Sequence, residues 1–171
     1  MKILISDPIT ENGISILKDE KFNVLYMPKA SIEETIKASK EVHGWIIRSG
    51  TTITAQMIES SKNLQVIGRA GVGVDNINIP VATRRGIVVM NTPDINTISA
   101  AEHTVAMMLT LSRNISVGDS EVKQGEWNRN ELIGSELSNK ILGIVGMGKI
   151  GREVMTRCRS FGMNILGYDP Y

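Results

Sequence analysis

The stretch LGIVGMGKIG, residues 142–151, decides the fold of this chain. It is an apolar run that leads directly into the glycine pattern G-x-G-x-x-G, and a helical pattern follows over residues 149–161. A second apolar run, residues 164–168, ends in Asp169, about 20 residues beyond the glycines. Because the glycines lie between a predicted strand and a predicted helix, the pattern predicts a βαβ unit that binds a dinucleotide.

Each glycine of this pattern has its own physical role. Gly146 permits the tight turn, Gly148 lets the backbone approach a pyrophosphate, and Gly151 lets the helix pack on the strand. The N–H groups at the start of the helix then face the phosphates. Asp169 would accept hydrogen bonds from the adenosine ribose and repel a 2′-phosphate, which favours NAD over NADP. The alternative is an ordinary βαβ turn without a ligand.

The composition indicates a globular protein with small-molecule partners. The chain has 171 residues, a formal net charge of +1 and no basic block of the kind that binds nucleic acid. Its apolar runs are shorter than the ~20 residues of a membrane span, and its first residues become polar too early for a signal peptide. The single cysteine, Cys158, suits a reducing compartment, and we expect it to be buried. We therefore expect a cytoplasmic protein without nucleic acid, membrane or metal partners.

The first part of the chain alternates short apolar runs with helical patterns. The predicted strands are residues 2–6, 23–27, 44–48, 64–68 and 87–91. The predicted helices are residues 10–19, 32–39, 54–60 and 79–85. Strands rich in Ile, Val and Leu that alternate with helices predict a parallel sheet covered on both faces. Asn78 is the predicted N-cap of the last helix, with Pro80 in its first turn.

A turn-rich segment, residues 91–97, predicts a boundary between a first domain at 1–95 and a second at 96–171. Ser99 and Glu102 fit a capping box at the start of the next helix. That helix, around residues 99–113, is apolar most of the way round, which predicts burial between two domains or two subunits. We therefore expect a homo-oligomer formed through it. The second domain contains only one βαβ unit of a dinucleotide-binding sheet, so we expect the chain to be part of a longer protein.

Two strand ends in the first domain combine arginines with flexible residues. Arg48 and Ser49 come at the end of one predicted strand, directly after residues 44–47, and Arg69 follows the next strand, just before Gly71 and Gly73. Ligands of open α/β sheets bind at the carboxyl ends of the strands. Because a guanidinium can hold a carboxylate or phosphate with two hydrogen bonds, this arrangement predicts an anion clamp. The alternative for each arginine is a solvated surface residue.

Several motifs along the chain occur together in one known family. They are Arg48-Ser49, VIGRAGVGVDNI at 66–77, VMNTP at 89–93, AAEHT at 100–104 and the glycine pattern at 142–151. With them the chain resembles the D-isomer-specific 2-hydroxyacid dehydrogenases over essentially its whole length. The runs GEWNR at 125–129, SFGM at 160–163 and YDP at 168–170 are most similar to members that oxidise 3-phosphoglycerate. Glyoxylate and hydroxypyruvate reductases share much of this pattern.

The resemblance implies an α/β fold with two domains. A flavodoxin-like parallel-sheet substrate domain would occupy residues 1–95. Residues 96–171 would hold interdomain helices and the first βαβ of a Rossmann NAD-binding domain, which is incomplete here. Such enzymes transfer a hydride between NAD and a small anionic 2-hydroxy or 2-oxo acid, in the cleft between the domains.

Two sets of site residues follow from the matching motifs. The substrate-binding set is Arg48, Ser49, Arg69, Gly71, Val72, Gly73 and Arg129. The cofactor-binding set is Val72, Gly146, Gly148, Lys149, Ile150, Gly151 and Asp169. In the first set the resemblance implies that the side chains of Arg48, Ser49 and Arg69 hold anionic groups, and that the glycine-loop amides take the substrate carboxylate. Arg129 would reach a substrate phosphate from the neighbouring subunit, or else be a solvated loop arginine.

The family's catalytic arginine, acidic residue and histidine match no position in this chain. His43 and His103 are its two histidines, and neither matches the proton-transferring role, so we expect packing or interface roles for both. The chain is therefore expected to be the N-terminal part of a dehydrogenase and inactive alone. The alternative is an NAD-sensing interaction module, since corepressors share the family fold, but the predicted arginine clamp favours the enzyme.

Overall fold

A computed structural model of the protein describes residues 1–170. The described chain divides into two compact units, Met1–Ile95 and a second unit that begins at Asn96.

Strands and helices alternate strictly in the first unit. In chain order they are β1 Lys2–Ile5, α1 Glu11–Asp19, β2 Asn23–Tyr26, α2 Ile32–Ser39, β3 Gly44–Ile47, α3 Ala55–Ser60, β4 Val66–Arg69, α4 Ile79–Arg84 and β5 Val88–Asn91. The five strands form one parallel sheet in the order β2-β1-β3-β4-β5. This is the flavodoxin-like strand order, so the predicted parallel α/β fold is confirmed.

The main core of the first unit is formed by side chains of the central strands and of helices α3 and α4. Leu4, Trp45 and Ile67 of the strands are fully buried, and Ile58 of α3 is buried with them. Helix α4 begins as predicted, since the Asn78 side chain accepts a hydrogen bond of 3.1 Å from the Val81 amide. Because the buried strands are paired in a fixed register, residues at their carboxyl ends have fixed positions relative to one another, as a binding site requires.

The second unit contains three helices and two strands. They are α5 Thr97–Ser112, α6 Ile115–Lys123, β6 Ile141–Val145, α7 Lys149–Ser160 and β7 Asn164–Tyr168. Strands β6 and β7 are parallel and α7 connects them, so the predicted βαβ unit is present. Its core is formed by Ala101, Val105, Val154, Cys158 and Met163. Cys158 is buried, as expected, and burial raises the pKa of its thiol.

One detail of the second unit differs from the sequence predictions. The capping box is wrong, because α5 already begins at Thr97, and the Ser99 hydroxyl donates to the Asn96 carbonyl at 3.1 Å. A serine inside the first turn has helical backbone angles, so its hydroxyl turns back to a carbonyl rather than capping the helix. Within the described chain, Met107 and Leu111 of α5 are 49% and 75% exposed, and the burial of this helix between domains or subunits stays a prediction.

The strand boundaries in the first unit move by one or two residues, and the shift in β4 bears on the site. The strand predicted at residues 64–68 is Val66–Arg69, so Arg69 is the last residue of β4 rather than the first after it.

Among the described residues, no helix is both long and apolar enough to cross a membrane.

Candidate functional site

The two arginines of the predicted clamp lie at the same edge of the sheet. Strands β3 and β4 are neighbours, and Ile47 at the end of β3 pairs with Arg69 at the end of β4. Arg48 follows Ile47 directly. The parallel register therefore brings both arginine positions together at the carboxyl edge, where ligands of such sheets bind.

The side chain of Arg69 turns back beneath the glycine loop that follows β4. Its Nε donates a hydrogen bond of 2.9 Å to Oδ1 of Asn76. A Cβ atom at Gly71 would collide with the guanidinium of Arg69. A Cβ at Gly73 would lie 2.8 Å from Oδ1 of Asp75 and 3.9 Å from Nη1 of Arg69. Glycine at position 71 allows the loop backbone to lie directly against the guanidinium, and glycine at position 73 leaves room for the carboxylate of Asp75.

The glycine loop is held mainly through its carbonyl groups. The Val72 carbonyl accepts a hydrogen bond of 2.7 Å from the Asn91 side chain, and the Gly71 carbonyl accepts one of 3.0 Å from the Thr92 amide. No hydrogen bond between described residues uses the amide of Val72 or Gly73. The Gly71 amide differs from the expectation, since it donates to the Arg69 carbonyl at 2.8 Å. Two adjacent amides, rather than three, are thus left for an anion beside a guanidinium.

The loop after β3 is ordered by a residue that the sequence analysis did not select. Asp7 follows β1 and is only 5% exposed. Its carboxylate accepts hydrogen bonds from the Arg48 amide at 2.5 Å, the Thr51 amide at 3.1 Å and the Thr51 hydroxyl at 3.0 Å. A Cβ at Gly50 would lie 2.6 Å from Oδ1 of Asp7, so glycine is needed where the loop passes over the carboxylate. The position of Asp7, an acidic residue immediately after a buried strand, is the sequence feature that could have indicated this role.

A chain of hydrogen bonds connects this carboxylate to the core. The indole N–H of Trp45 donates to Oγ of Ser6 at 2.8 Å, and Ser6 Oγ lies 2.9 Å from Oγ1 of Thr51. The one hydroxyl proton of Thr51 is donated to Asp7, so Ser6 must be the donor to Thr51. Every polar side-chain group in this network, from Trp45 through Ser6 and Thr51 to Asp7, thereby has a hydrogen-bond partner. The network fixes the loop against the buried Trp45.

The side chains of this loop remain available for a ligand. Arg48 and Ser49 are both exposed. The guanidinium of Arg48 has one long hydrogen bond within the chain, of 3.4 Å from Nη1 to the Pro8 carbonyl. On the backbone side, the Nδ2 group of Asn76 donates to the carbonyls of Arg48 at 2.7 Å and Thr51 at 2.6 Å. The loop backbone is fixed while its charged side chain faces solvent.

The three glycines of the second unit occupy three different environments. Gly146 has φ of +98° and its amide donates to the Tyr168 carbonyl at 2.7 Å, so it forms the turn after β6. Gly148 is the N-cap of α7, and a Cβ there would have no atom of the described residues within 4 Å. A Cβ at Gly151 would collide with the Gly146 carbonyl. The turn at Gly146 and the close helix packing at Gly151 are confirmed, and the approach of a pyrophosphate at Gly148 stays a prediction.

The acidic residue after β7 lies over this turn. Oδ2 of Asp169 accepts a hydrogen bond of 2.7 Å from the Met147 amide. Lys149 and Ile150 are the first residues of α7, and both are exposed. An open helix N-terminus next to a carboxylate fits the pyrophosphate and ribose of a dinucleotide such as NAD.

Arg129 and the two histidines lie apart from the loops after β3 and β4. Arg129 is exposed in the connection between α6 and β6, beside Trp127, which is 76% exposed. Nδ1 of His43 accepts a hydrogen bond of 3.2 Å from the Lys2 amide, at the amino end of the sheet, so it has a structural role. His103 is exposed on α5. Among the described residues there is no cluster of acidic, histidine and cysteine side chains that could hold a metal ion.

Comparison with known proteins gives a consistent result. The sequence pattern of the family described as D-isomer specific 2-hydroxyacid dehydrogenase, catalytic domain, matches residues 3–164. The D-3-phosphoglycerate dehydrogenase of Sus scrofa is 48% identical over 169 residues, which is 99% of this chain and 32% of that protein. The chain thus spans about a third of the length of such relatives.

Solved structures agree with the sequence matches. The NAD-dependent formate dehydrogenase of Staphylococcus aureus, solved with NAD, superimposes with a TM-score of 0.91 at 28% identity, covering 99% of this chain and 56% of that one. The NAD⁺-bound 3-phosphoglycerate dehydrogenase of Entamoeba histolytica gives 0.78 at 33% identity, covering 99% and 54%. The chain belongs to the D-isomer specific 2-hydroxyacid dehydrogenase family.

Proposed function

We propose that this chain is the N-terminal part of an NAD-dependent dehydrogenase that converts 3-phosphoglycerate to 3-phosphohydroxypyruvate in serine biosynthesis. The observation that carries the proposal is the pair of arginine positions at adjacent strand ends, beside two unused backbone amides. A doubly anionic substrate needs several cationic or N–H groups at one place, and this edge offers both. The proposal is also supported by the names of relatives that are 45% to 48% identical.

Each part of the site would have a separate task. The amides of Val72 and Gly73 would hold the substrate carboxylate, and the guanidinium groups of Arg48 and Arg69 would bind its anionic groups with paired hydrogen bonds. Ser49 would add a hydroxyl. Arg129 would contact the phosphate from a neighbouring subunit. Fixing the substrate in this way restricts its orientation before reaction, which lowers the entropic part of the barrier.

The cofactor would be held in the second unit. NAD, when bound, supplies the hydride acceptor. Gly148 and the first residues of α7, Lys149 and Ile150, would receive the pyrophosphate, and Asp169 would accept hydrogen bonds from the ribose. Neither His43 nor His103 is suited to move the substrate proton, since one is bonded to the sheet and the other is exposed on α5. The general acid–base would therefore come from another part of the enzyme.

The proposal includes self-association and a cytoplasmic location. Exposed apolar side chains on α5, including Met107 and Leu111, would be covered by a second copy. The single cysteine is buried and reduced, which suits the cytoplasm.

An assay of the intact enzyme tests the proposal directly. NADH formation should depend on 3-phosphoglycerate and be much weaker with glycerate, whereas this chain alone should show no turnover with either. Equal rates with both substrates would point to a glyoxylate or hydroxypyruvate reductase. NAD binding without oxidation of any 2-hydroxy acid by the intact protein would point to a sensing module. Turnover by the isolated chain that is lost on changing His43 or His103 would overturn the assignment of the proton-transfer group.

A further inference from the structure

We infer that Asn76 is a positioning residue that ties both arginines of the anion site to one another. This inference rests on the proposed function of Arg48 and Arg69. Asn76 uses its whole side-chain amide. Oδ1 accepts from Nε of Arg69 at 2.9 Å, and Nδ2 donates to the carbonyls of Arg48 at 2.7 Å and Thr51 at 2.6 Å.

The contacts allow one orientation of this amide. The two carbonyls require a donor and the Arg69 Nε–H requires an acceptor, so exchanging the oxygen and nitrogen of Asn76 would break all three hydrogen bonds. The side chain is half-buried, which limits competition from water. One residue thus sets the rotamer of one arginine and the backbone position from which the other arginine projects.

The backbone around Asn76 is anchored independently of its side chain. The Asn76 carbonyl accepts a hydrogen bond of 2.8 Å from the Ile53 amide, and the Asn78 amide donates to the Ile53 carbonyl at 3.0 Å. A parallel bridge between Ile53 and Ile77 joins the same segments. These contacts remain when the side chain is removed, so the fold does not depend on the Asn76 amide.

The coupling matters because both arginines must be preorganised to hold one ligand. Asn76 binds Nε of Arg69, and no hydrogen bond between described residues uses Nη1 or Nη2, which would serve the ligand. Asp7 and Asn76 hold the two sides of the backbone in the loop after β3. Asp7 accepts hydrogen bonds from the amides of Arg48 and Thr51, and Asn76 donates to the carbonyls of the same two residues. Loss of Asn76 frees one side of this arrangement only, which should loosen the site without unfolding it.

The test is steady-state kinetics of the intact enzyme with 3-phosphoglycerate and NAD. Replacing Asn76 by Ala should raise the KM for 3-phosphoglycerate by roughly 3- to 10-fold, which corresponds to the net free energy of a lost hydrogen bond. The KM for NAD should stay the same. The matched control is Asn78→Ala. It removes the cap of α4 and should lower Tm without changing the KM for 3-phosphoglycerate. Asn76→Ser, a smaller change, serves if the alanine variant does not fold.

A double-mutant cycle separates positioning from a general structural effect. In an Arg69→Ala background the factor contributed by Asn76→Ala should shrink, because part of its action passes through Arg69. Full additivity, or an Asn76→Ala enzyme with unchanged KM while Arg69→Ala is impaired, would overturn the inference. If neither Arg48→Ala nor Arg69→Ala raises KM, the proposed anion clamp itself fails, which is a distinguishable result.

Discussion

The carboxylate of Asp169 accepts a hydrogen bond of 2.7 Å from the backbone amide of Met147, which joins the end of β7 to the glycine turn after β6. The acidic residue is therefore held beside the turn that would receive the pyrophosphate. One oxygen of the carboxylate has a role in orienting the side chain, and the same group would accept hydrogen bonds from the ribose. This relationship gives the first prediction.

Replacing Asp169 by Ala in the intact enzyme should weaken NAD binding and loosen its preference over NADP. The ribose hydrogen bonds go to a charged acceptor, so their loss should cost about 1.5–3 kcal/mol of binding free energy. Calorimetric titration with NAD and NADP measures both effects. Asp119→Ala is the control, since Asp119 pairs only with Lys123 on the surface of α6. An unchanged ratio of the two affinities would remove Asp169 from cofactor selection.

Replacing Gly148 by Val should abolish NAD binding while leaving the fold intact. A Cβ at Gly148 meets no atom of residues 1–170 within 4 Å, so the added side chain would enter the space proposed for the pyrophosphate. Gly151→Val gives the contrast, because its Cβ would collide with the Gly146 carbonyl and should destabilise the unit. Circular dichroism and NAD titration separate the two cases. Normal NAD binding by the Gly148→Val protein would make that glycine purely structural.

Replacing Arg48 or Arg69 by Ala should raise the KM of the intact enzyme for 3-phosphoglycerate strongly. Tm should change little for exposed Arg48 and fall modestly for Arg69, which also loses its hydrogen bond to Asn76. Replacement by Lys keeps the charge but loses the bidentate geometry, so an intermediate KM is expected. The KM for 2-hydroxy acids without a phosphate should rise less if one arginine binds the phosphate. Equal losses for both substrate classes would assign both arginines to the shared carboxylate.

The matched control for these variants is Arg85→Ala. Arg85 donates to the carbonyls of Ile58 at 3.0 Å and Glu59 at 3.3 Å, so it joins α4 to the end of α3. Its loss should lower Tm and leave KM unchanged. The reverse pattern for Arg48 or Arg69, a large fall in Tm with unchanged kinetics, would make them structural and the clamp wrong.

Replacing Asp7 by Ala should destabilise the first unit. Two backbone amides and one hydroxyl would lose a buried acceptor, which should cost about 2–4 kcal/mol in the free energy of unfolding. Asp7→Asn should destabilise less than Asp7→Ala, because the amide oxygen can still accept from the two backbone N–H groups while its NH₂ group faces the Thr51 hydroxyl, which can turn to accept. Urea denaturation followed by tryptophan fluorescence reports on this, since Trp45 belongs to the same hydrogen-bond chain. Unfolding curves identical to those of the unaltered protein would show that the network adds no stability.

Cys158 should react slowly with thiol reagents in the folded protein. Its side chain is fully buried, and burial raises the pKa of the thiol, so less reactive thiolate is present at mildly alkaline pH than for a free cysteine. Spectrophotometric titration with a disulfide reagent at pH 8 should give slow labelling, which becomes fast in denaturant. Rapid labelling of the native protein would contradict the burial of Cys158.

Local patterns were sufficient to predict most of the elements. Alternation of apolar runs with helical periods gave five strands and the βαβ unit to within one or two residues, because burial on both faces of a parallel sheet leaves little freedom in composition. The start of α4 was predicted correctly from Asn78 and Pro80, since that cap involves neighbours in the chain. The capping box at Ser99 failed because α5 has Asn96 as its N-cap, three residues before the cap that the local motif indicated.

The sequence by itself determined the α/β class, the dinucleotide-type turn and the candidate arginines, since these follow from chemistry within short segments. Tertiary structure alone decided how the arginines are held. The contacts of Asp7 with Arg48 and Thr51 join positions more than 40 residues apart, and Asn76 connects two strand ends. Such contacts depend on which strands are neighbours in the sheet, and that order results from packing the whole first unit around one core.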